Sequence, residues 1–426
     1  YIDDMLSRGS NSLILWLGAI SLMAVTAATA LVWIFELGLE ESFGGLFWDL
    51  MMRAVTPWEI ENLRSQLVDA AAGNRFLLQG GDCAERFSEC RPDIIANRLK
   101  VLLQMSLVLV YGLRLPVTRV GRFAGQYAKP RSSDVEESNG QVLPSYRGDI
   151  VNEPEFGRHA RRPAPERMIQ AYEHSAMTLN YIRALGEGGF ADLHHPEYWN
   201  LGFVRHESLR QEYQQIVDAI LEALHFMEAV STNPIGDVDR VSFYTSHEAL
   251  LLPYEESFTR RALKDAPTYN LSTHFPWIGK RTSHVDGAHV EYARGIRNPL
   301  GLKIGPGTTT DGLISLLERL NPDNEAGRIT LITRFGANQI ADGLAPLLAH
   351  VEREGRLVLW ACDPMHGNTE TLSNGIKTRR FDNIKSELEQ AFDLHADHGT
   401  ILGGVHLELT GENVTECIGG ARGLEE

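Results

Sequence analysis

Leu357-Val358-Leu359-Trp360-Ala361-Cys362 runs directly into Asp363-Pro364-Met365-His366-Gly367-Asn368-Thr369. An apolar run of about six residues reads as a buried strand. An Asp, a His and an Asn crowd its C-terminal end, and polar groups gathered at a strand exit are what a parallel α/β active site needs. Seven more apolar runs repeat the layout, each ending in polar or glycine residues: Phe76-Leu77-Leu78, Pro116–Val120, Val241–Tyr244, Thr273–Ile278, Leu300–Ile304, Ile329–Thr333 and Gly404–Leu409. Helical patterns such as Asp311–Leu320 and Ala341–Glu354 lie between most of them. Strands alternating with helices predict βαβ units and a parallel sheet, and eight of them predict an α/β (β/α)8 TIM barrel. From Gly125 to Val241 the connection is far longer than a loop, with helical patterns at Glu166–Leu185 and Leu209–Val230. A helical insertion over about residues 131–239, after the second strand, is therefore expected.

The 426 residues are 43% hydrophobic and 23% charged, enough for a sizeable core. A net charge of −16 argues against a nucleic acid or an anionic membrane surface as partner of the whole chain. Anionic substrates remain open to it through local cation clusters. The four cysteines, Cys83, Cys90, Cys362 and Cys417, form no CxxC pair, which suits a reducing compartment and a cytoplasmic barrel.

One segment does not match this pattern. Leu13–Phe35 is 23 residues without a charge, with Trp16 and Trp33 near its ends. That length crosses a hydrocarbon core of about 30 Å, and predicts a transmembrane helix rather than a core helix or a secretion signal. Ser42–Arg53 is amphipathic at helical spacing and reads as an interfacial helix. Residues 1–56 resemble the first pore segment of a bacterial Castor/Pollux-type ion channel. They are expected to be foreign to the barrel of 57–426 and to be its one membrane association.

Past the successive strands come Cys83, Arg122, His247 with Glu248, Lys280 with Arg281, Lys303, Arg334, His366 and Glu408. A barrel brings all eight exits to one face, so these residues should converge. Cys83, His366 and Glu408 are a thiolate, an imidazole and a carboxylate, a set suited to a divalent transition metal. Arg122, Arg281, Lys303, Arg334 and the later Lys377 are cations suited to phosphates and carboxylates. A metal ringed by cations implies a substrate with several negative charges. Taken singly, each residue has a bland reading: a lone Cys is usually a small core residue, a lone Arg or Lys a solvated one. His194-His195 with Asp192 reads as a loop beside Pro196. Position carries the inference, since surface residues have no reason to fall at consecutive strand exits. Gly80-Gly81-Asp82-Cys83-Ala84-Glu85 sets glycines beside the thiol, and Lys129, Arg131 and Ser132 follow Arg122 closely.

From about Thr56 onward the chain resembles type II 3-deoxy-D-arabino-heptulosonate 7-phosphate (DAHP) synthase, first enzyme of the shikimate pathway. The stretches that carry the likeness are Leu77–Glu85, Gly125–Ser132, Ser145–Asp149, Thr245–Leu250, Asp286–His289, Asp363–Thr369 and Thr410–Cys417. The resemblance implies condensation of phosphoenolpyruvate with erythrose 4-phosphate and release of phosphate. It implies a divalent metal, Mn2+ or else Co2+, on Cys83, His366 and Glu408. Arg122, Arg281, Lys303 and Arg334 would hold phosphoenolpyruvate, with Lys280 beside them. Lys377, Arg131 and Ser132 would hold the phosphate of the aldehyde. Lys129 and His366 are candidates for proton transfer. It further implies a homo-oligomer with aromatic amino acids as effectors on the inserted helices. Lys280 stands where the family has Glu in its Trp-Ile-Gly-Glu-Arg-Thr motif, and the family's fourth ligand, an Asp in a Cys-Asp-Pro-Arg motif, is not among the 426 residues. Two other readings compete: a channel-derived fusion with a non-functional barrel, and a synthase of the same chemistry serving secondary metabolism such as phenazine formation.

Overall fold

The computed structural model describes residues 54–419, apart from 139, 189, 191–195, 200–206, 231–241, 262–266, 373–376, 413 and 415–416, together with Met23 and Thr26. The chain divides into two compact units, Tyr1–Ala54 and Val55–Glu426. The helices expected within residues 1–53 fall outside the described residues but for Met23 and Thr26, and so does the Asp192–His195 loop.

All eight expected strands are present. They are β1 (Phe76–Gly81), β2 (Val117–Gly121), β5 (Phe243–Thr245), β8 (Trp277–Ile278), β9 (Leu300–Ile304), β10 (Ile329–Thr333), β11 (Leu359–Cys362) and β14 (Leu402–Glu408). Between them lie the hairpins β3 (Val135–Ser138) with β4 (Gln141–Pro144) and β6 (Thr259–Arg261) with β7 (Thr268–Asn270). A small sheet of β12 (Thr369–Thr371), β13 (Lys377–Arg380) and β15 (Cys417–Ile418) completes the set. The eight long-range strands form one parallel sheet in the order β5-β2-β1-β14-β11-β10-β9-β8. Its outer strands meet through Phe275 N to Thr245 O (3.1 Å), Trp277 N to His247 O (3.1 Å) and Ala249 N to Trp277 O (3.0 Å), with a parallel bridge between Glu248 and Trp277. An eight-stranded parallel sheet curled so that its edges bond fits a TIM-like barrel.

Helix Pro57–Ala71 underlies the barrel. Thr56 and Glu59 form its capping box, with Pro57 in the first turn, where a missing N–H does no harm. Its Leu63, Leu67 and Ala70 pack on Leu77, Val120, Tyr244, Phe275 and Leu359. Outside the sheet, Leu300, Leu302, Ile304, Leu331 and Trp360 pack on helices Thr310–Leu320 and Ile340–Arg353 through Leu313, Leu317, Leu344 and Leu348. Both faces of a parallel sheet are buried this way, which is why its strands read as continuous apolar runs. Among the described residues one helix, Pro92–Leu113, is long and apolar enough to cross a membrane. It buries Ile95, Leu99, Leu102, Leu103 and Leu107 and packs beside β1 and β2 as a barrel helix.

The insertion holds the expected helices, Arg167–Glu187 and Glu207–Val230, but opens with the β3–β4 hairpin. The hairpin was not expected in a segment read as largely helical. Its strands are four residues long and largely exposed, so they carry no apolar run to announce them.

Candidate active site

Period-two alternation sends every second strand residue into the barrel. Thr118, Val120 and Arg122 follow one another on the inner face of the β2 line, and His406 and Glu408 do so on β14. Arg122, Lys303 and Glu408 are all nearly fully buried. At the β11 exit, Asp363 receives the backbone N–H of Met365 (3.1 Å) and of His366 (3.2 Å), closing a tight turn. The same carboxylate takes His366 Nδ1 at 2.7 Å and Lys303 Nζ at 2.7 Å. This directs the other ring nitrogen of His366, Nε2, toward Glu408 Oε1, 2.8 Å away.

Charge is concentrated here. Burial opposes ionisation of Glu408, yet His366, Arg122 and Arg379 hold its carboxyl well below the usual carboxylate range. Asp363 is likewise held down, against its burial, by His366 and Lys303. Burial lowers the Lys303 ammonium, with Asp363 opposing. Burial disfavours protonated His366, but Asp363 and Glu408 push it up to about 9. Glu248 is buried at the β5 exit, and burial raises its carboxyl despite Lys303 and Arg122.

The cations sit on the same rim. Arg122 Nη2 lies 3.7 Å from Glu408 Oε1, and its guanidinium stands over the Trp277 ring, 5.4 Å from the centroid. Arg334 Nη2 donates to His366 O (2.9 Å), tying the β10 exit to the β11 turn. Lys280 Nζ donates to Gly305 O (3.1 Å) and Thr308 Oγ1 (3.2 Å), so it fastens the β8 exit to the loop after β9. Arg281 is exposed beside it.

The remaining expected residues stand as follows. Cys83 is exposed two positions beyond Gly81, which is the register partner of Glu408 across β1 and β14. Lys129 is half-buried, its backbone N–H on Arg147 O (2.8 Å). Arg131 pairs with Glu136, a carboxylate shared with Arg161 (2.8 Å). Ser132 is exposed, and Lys377 is exposed on β13. Arg379, two residues beyond Lys377, pairs with Glu408 and donates to Met365 O (3.0 Å). Sequence reasoning placed Asp363 at the strand exit without giving it a role, and passed over His406. Their signals were a carboxylate three residues before His366, and a histidine two residues before Glu408 on the same strand face.

The Class-II DAHP synthetase family model matches residues 49–426. The chain belongs to the class-II DAHP synthetase family. It is 51% identical to phospho-2-dehydro-3-deoxyheptonate aldolase of Neurospora crassa over 388 residues, covering 87% of this chain and 80% of that protein. The enzyme of the same name from Streptomyces coelicolor is 48% identical over 362 residues, 85% and 80% of the two chains. That of Mycolicibacterium smegmatis is 46% identical over 376 residues, 87% and 80%. These matches give no support to the ion-channel likeness of residues 1–56, and the family match already begins at residue 49.

Does a class-II DAHP synthetase site built from these residues suit a divalent metal? Two donors do. Glu408 Oε1 is buried and makes no hydrogen bond among the described residues although His366 Nε2 is 2.8 Å from it. A carboxylate on Nδ1 is the arrangement that presents the opposite nitrogen of a histidine to a metal. No group of three or more His, Cys, Asp or Glu is arranged to hold a metal ion among the described residues.

Proposed function

We propose that this chain condenses phosphoenolpyruvate with D-erythrose 4-phosphate and water to give DAHP and inorganic phosphate, the first step of the shikimate pathway. The observation that carries the reading is the pairing of half-buried His366 with buried Glu408 at the barrel exit, beside Arg122, Lys303 and Arg334. His366 and Glu408 would hold a divalent metal, Mn2+ by preference, with Cys83 from the neighbouring β1 exit as third donor. Bound there, the metal polarises the aldehyde carbonyl as a Lewis acid.

The protein's own groups do the rest. Arg122, Lys280, Arg281, Lys303 and Arg334 hold the carboxylate and phosphate of phosphoenolpyruvate. Arg131, Ser132 and Lys377 receive the phosphate of the aldehyde. Both substrates are anions, so the cations offset their repulsion and set C3 of one against C1 of the other. As that C–C bond forms, water adds to C2 and the phosphate leaves by C–O cleavage. Lys129 and His366 move the protons. The enzyme acts in the cytoplasm as a homo-oligomer, with aromatic effectors on the inserted helices.

The test is phosphate release from the purified chain. Release that needs both substrates, stops with a chelator, returns with Mn2+ and is lost in His366→Ala is the expected result. A folded, metal-loaded protein that releases no phosphate from the two substrates together would overturn the reading.

A further inference from the structure

Below the cation ring lies a line of buried polar side chains that the reaction above does not use. His406, on β14, is fully buried. Its Nε2 lies 3.1 Å from Arg122 Nη1 and its Nδ1 lies 2.8 Å from Gln79 Oε1 on β1. Gln79 Nε2 reaches Ser246 Oγ at 3.0 Å, and Ser246 Oγ donates to Gly121 O at 3.1 Å. The direction of each hydrogen bond follows from the donor inventory. A guanidinium can only donate, so His406 Nε2 must accept and Nδ1 must carry the proton. Nδ1–H then requires an acceptor, which is the carbonyl of Gln79. The Gln79 amide nitrogen is thereby turned to Ser246, whose single proton goes to the β2 backbone. Each end of the line independently demands the same orientation.

We infer that Gln79 and His406 are positioning residues for substrate binding: together they fix one imidazole tautomer whose bare Nε2 anchors Arg122 in its phosphoenolpyruvate-holding orientation. The inference rests on the function proposed above, in which Arg122 holds that substrate. The rest of the Arg122 surroundings agrees. Trp277 backs its guanidinium, with the His406 ring edge-on to the indole at 5.3 Å between centroids. Arg122 Nε is buried and has no hydrogen-bond partner among the described residues, so the His406 contact is its guanidinium's one hydrogen bond there. His406 Nε2 is an uncharged acceptor, so it orients the guanidinium without adding a second negative charge to that of Glu408, 3.7 Å from Arg122 Nη2.

The test compares wild type, His406→Phe, His406→Gln, Gln79→Leu and the Gln79→Leu/His406→Phe double variant, each checked for folding by thermal melting. Phosphoenolpyruvate affinity is read by calorimetry, and KM for each substrate from phosphate release. His406→Phe should weaken phosphoenolpyruvate binding roughly ten- to a hundredfold, as expected for losing a hydrogen bond to a charged group, while KM for erythrose 4-phosphate stays within about twofold. His406→Gln, which keeps an acceptor, should recover part of the loss. Gln79→Leu should shift the same constant, and the double variant should be no worse than His406→Phe. Wild-type 15N NMR, with His406 assigned by difference from His406→Gln, should show a protonated Nδ1 and a bare Nε2. Unchanged phosphoenolpyruvate affinity in folded His406→Phe, additive losses in the double variant, or a protonated Nε2 would each overturn the inference. If the wild-type chain binds no phosphoenolpyruvate, the proposed function falls and takes the positioning role with it, while the NMR result still decides the tautomer.

Discussion

Lys303 Nζ and Asp363 Oδ2 lie 2.7 Å apart inside the barrel, and the same carboxylate holds His366 Nδ1. One side chain thus orients both Lys303, the cation proposed to hold phosphoenolpyruvate, and His366, the imidazole proposed to bind metal. Asp363→Ala should weaken Mn2+ binding by roughly 10- to 100-fold, the usual effect of removing a carboxylate behind a ligating histidine. It should also destabilise the fold by about 3 kcal/mol, because Lys303 is left buried without its partner. Titration calorimetry with Mn2+ and urea unfolding measure the two effects. An unaltered metal affinity would separate Asp363 from the metal site.

Cys83 offers a sharper check on the third donor. A thiolate bound to Co2+ gives a sulfur-to-metal absorption band in the near ultraviolet, which neither imidazole nor carboxylate provides. The Co2+-loaded protein should show that band, and Cys83→Ser should abolish it. A band that survives the substitution would remove Cys83 from the ligand set.

Glu387, on helix Phe381–Asp397, braces the rim from behind. It accepts from Phe335 N (2.8 Å), Gly336 N (2.9 Å) and Asn368 Nδ2 (2.7 Å), so it links the residue after Arg334 to the turn after His366. Glu387→Ala strands two buried backbone donors and should cost about 3 kcal/mol of stability. Phosphate release should fall with it, since both tethered segments carry site residues. A urea midpoint within error of wild type would contradict the brace.

Gly81 lets β1 approach Arg122. Its φ is +152°, and a Cβ there would stand 2.8 Å from Arg122 O and 2.9 Å from Arg122 Cβ. Gly81→Ala should displace Arg122 and raise KM for phosphoenolpyruvate about tenfold or more, with less effect on the aldehyde substrate. Equal kinetics in the variant would show that Arg122 has room to yield.

His395 gives a pH dependence well away from the catalytic rim. Burial, with help from His398, lowers it from 6.5 to about 4. Its Nδ1 bonds Thr400 Oγ1 at 2.7 Å and its ring meets Trp360 edge-on. Between those two values the unfolded chain takes up a proton that the folded chain refuses, so stability should fall as pH drops from about 6.5 to about 4. The full loss is at most about 3 kcal/mol. His395→Phe should unfold less steeply with acid over that window, read by circular dichroism. Parallel acid curves for the two proteins would refute it.

Alternation and apolar runs made the barrel legible. Each of the eight runs became a strand, and Arg122, Lys303, Arg334, His366 and Glu408 at their ends are joined directly or through Asp363, because a strand's period and its polar exit are local properties of a few neighbouring residues. Thr273–Ile278 was read too long, since only Trp277–Ile278 pairs as strand, while Phe275 still bonds across the seam to Thr245. The β3–β4 hairpin was not legible, since Leu143 is its one buried residue and leaves no alternating pattern.

What the amino-acid order determined by itself was the fold class, the family and which charged groups follow each strand. Tertiary structure alone decided which of them meet. Arg131 finds Glu136 instead of open solvent, Arg379 turns in to Glu408, and Asp363 stands between Lys303 and His366. His406 and Gln79 bond across 327 positions of chain. Such pairings depend on how the sheet closes and how neighbouring strands are staggered. That is a property of the assembled barrel, and no run of adjacent residues encodes it.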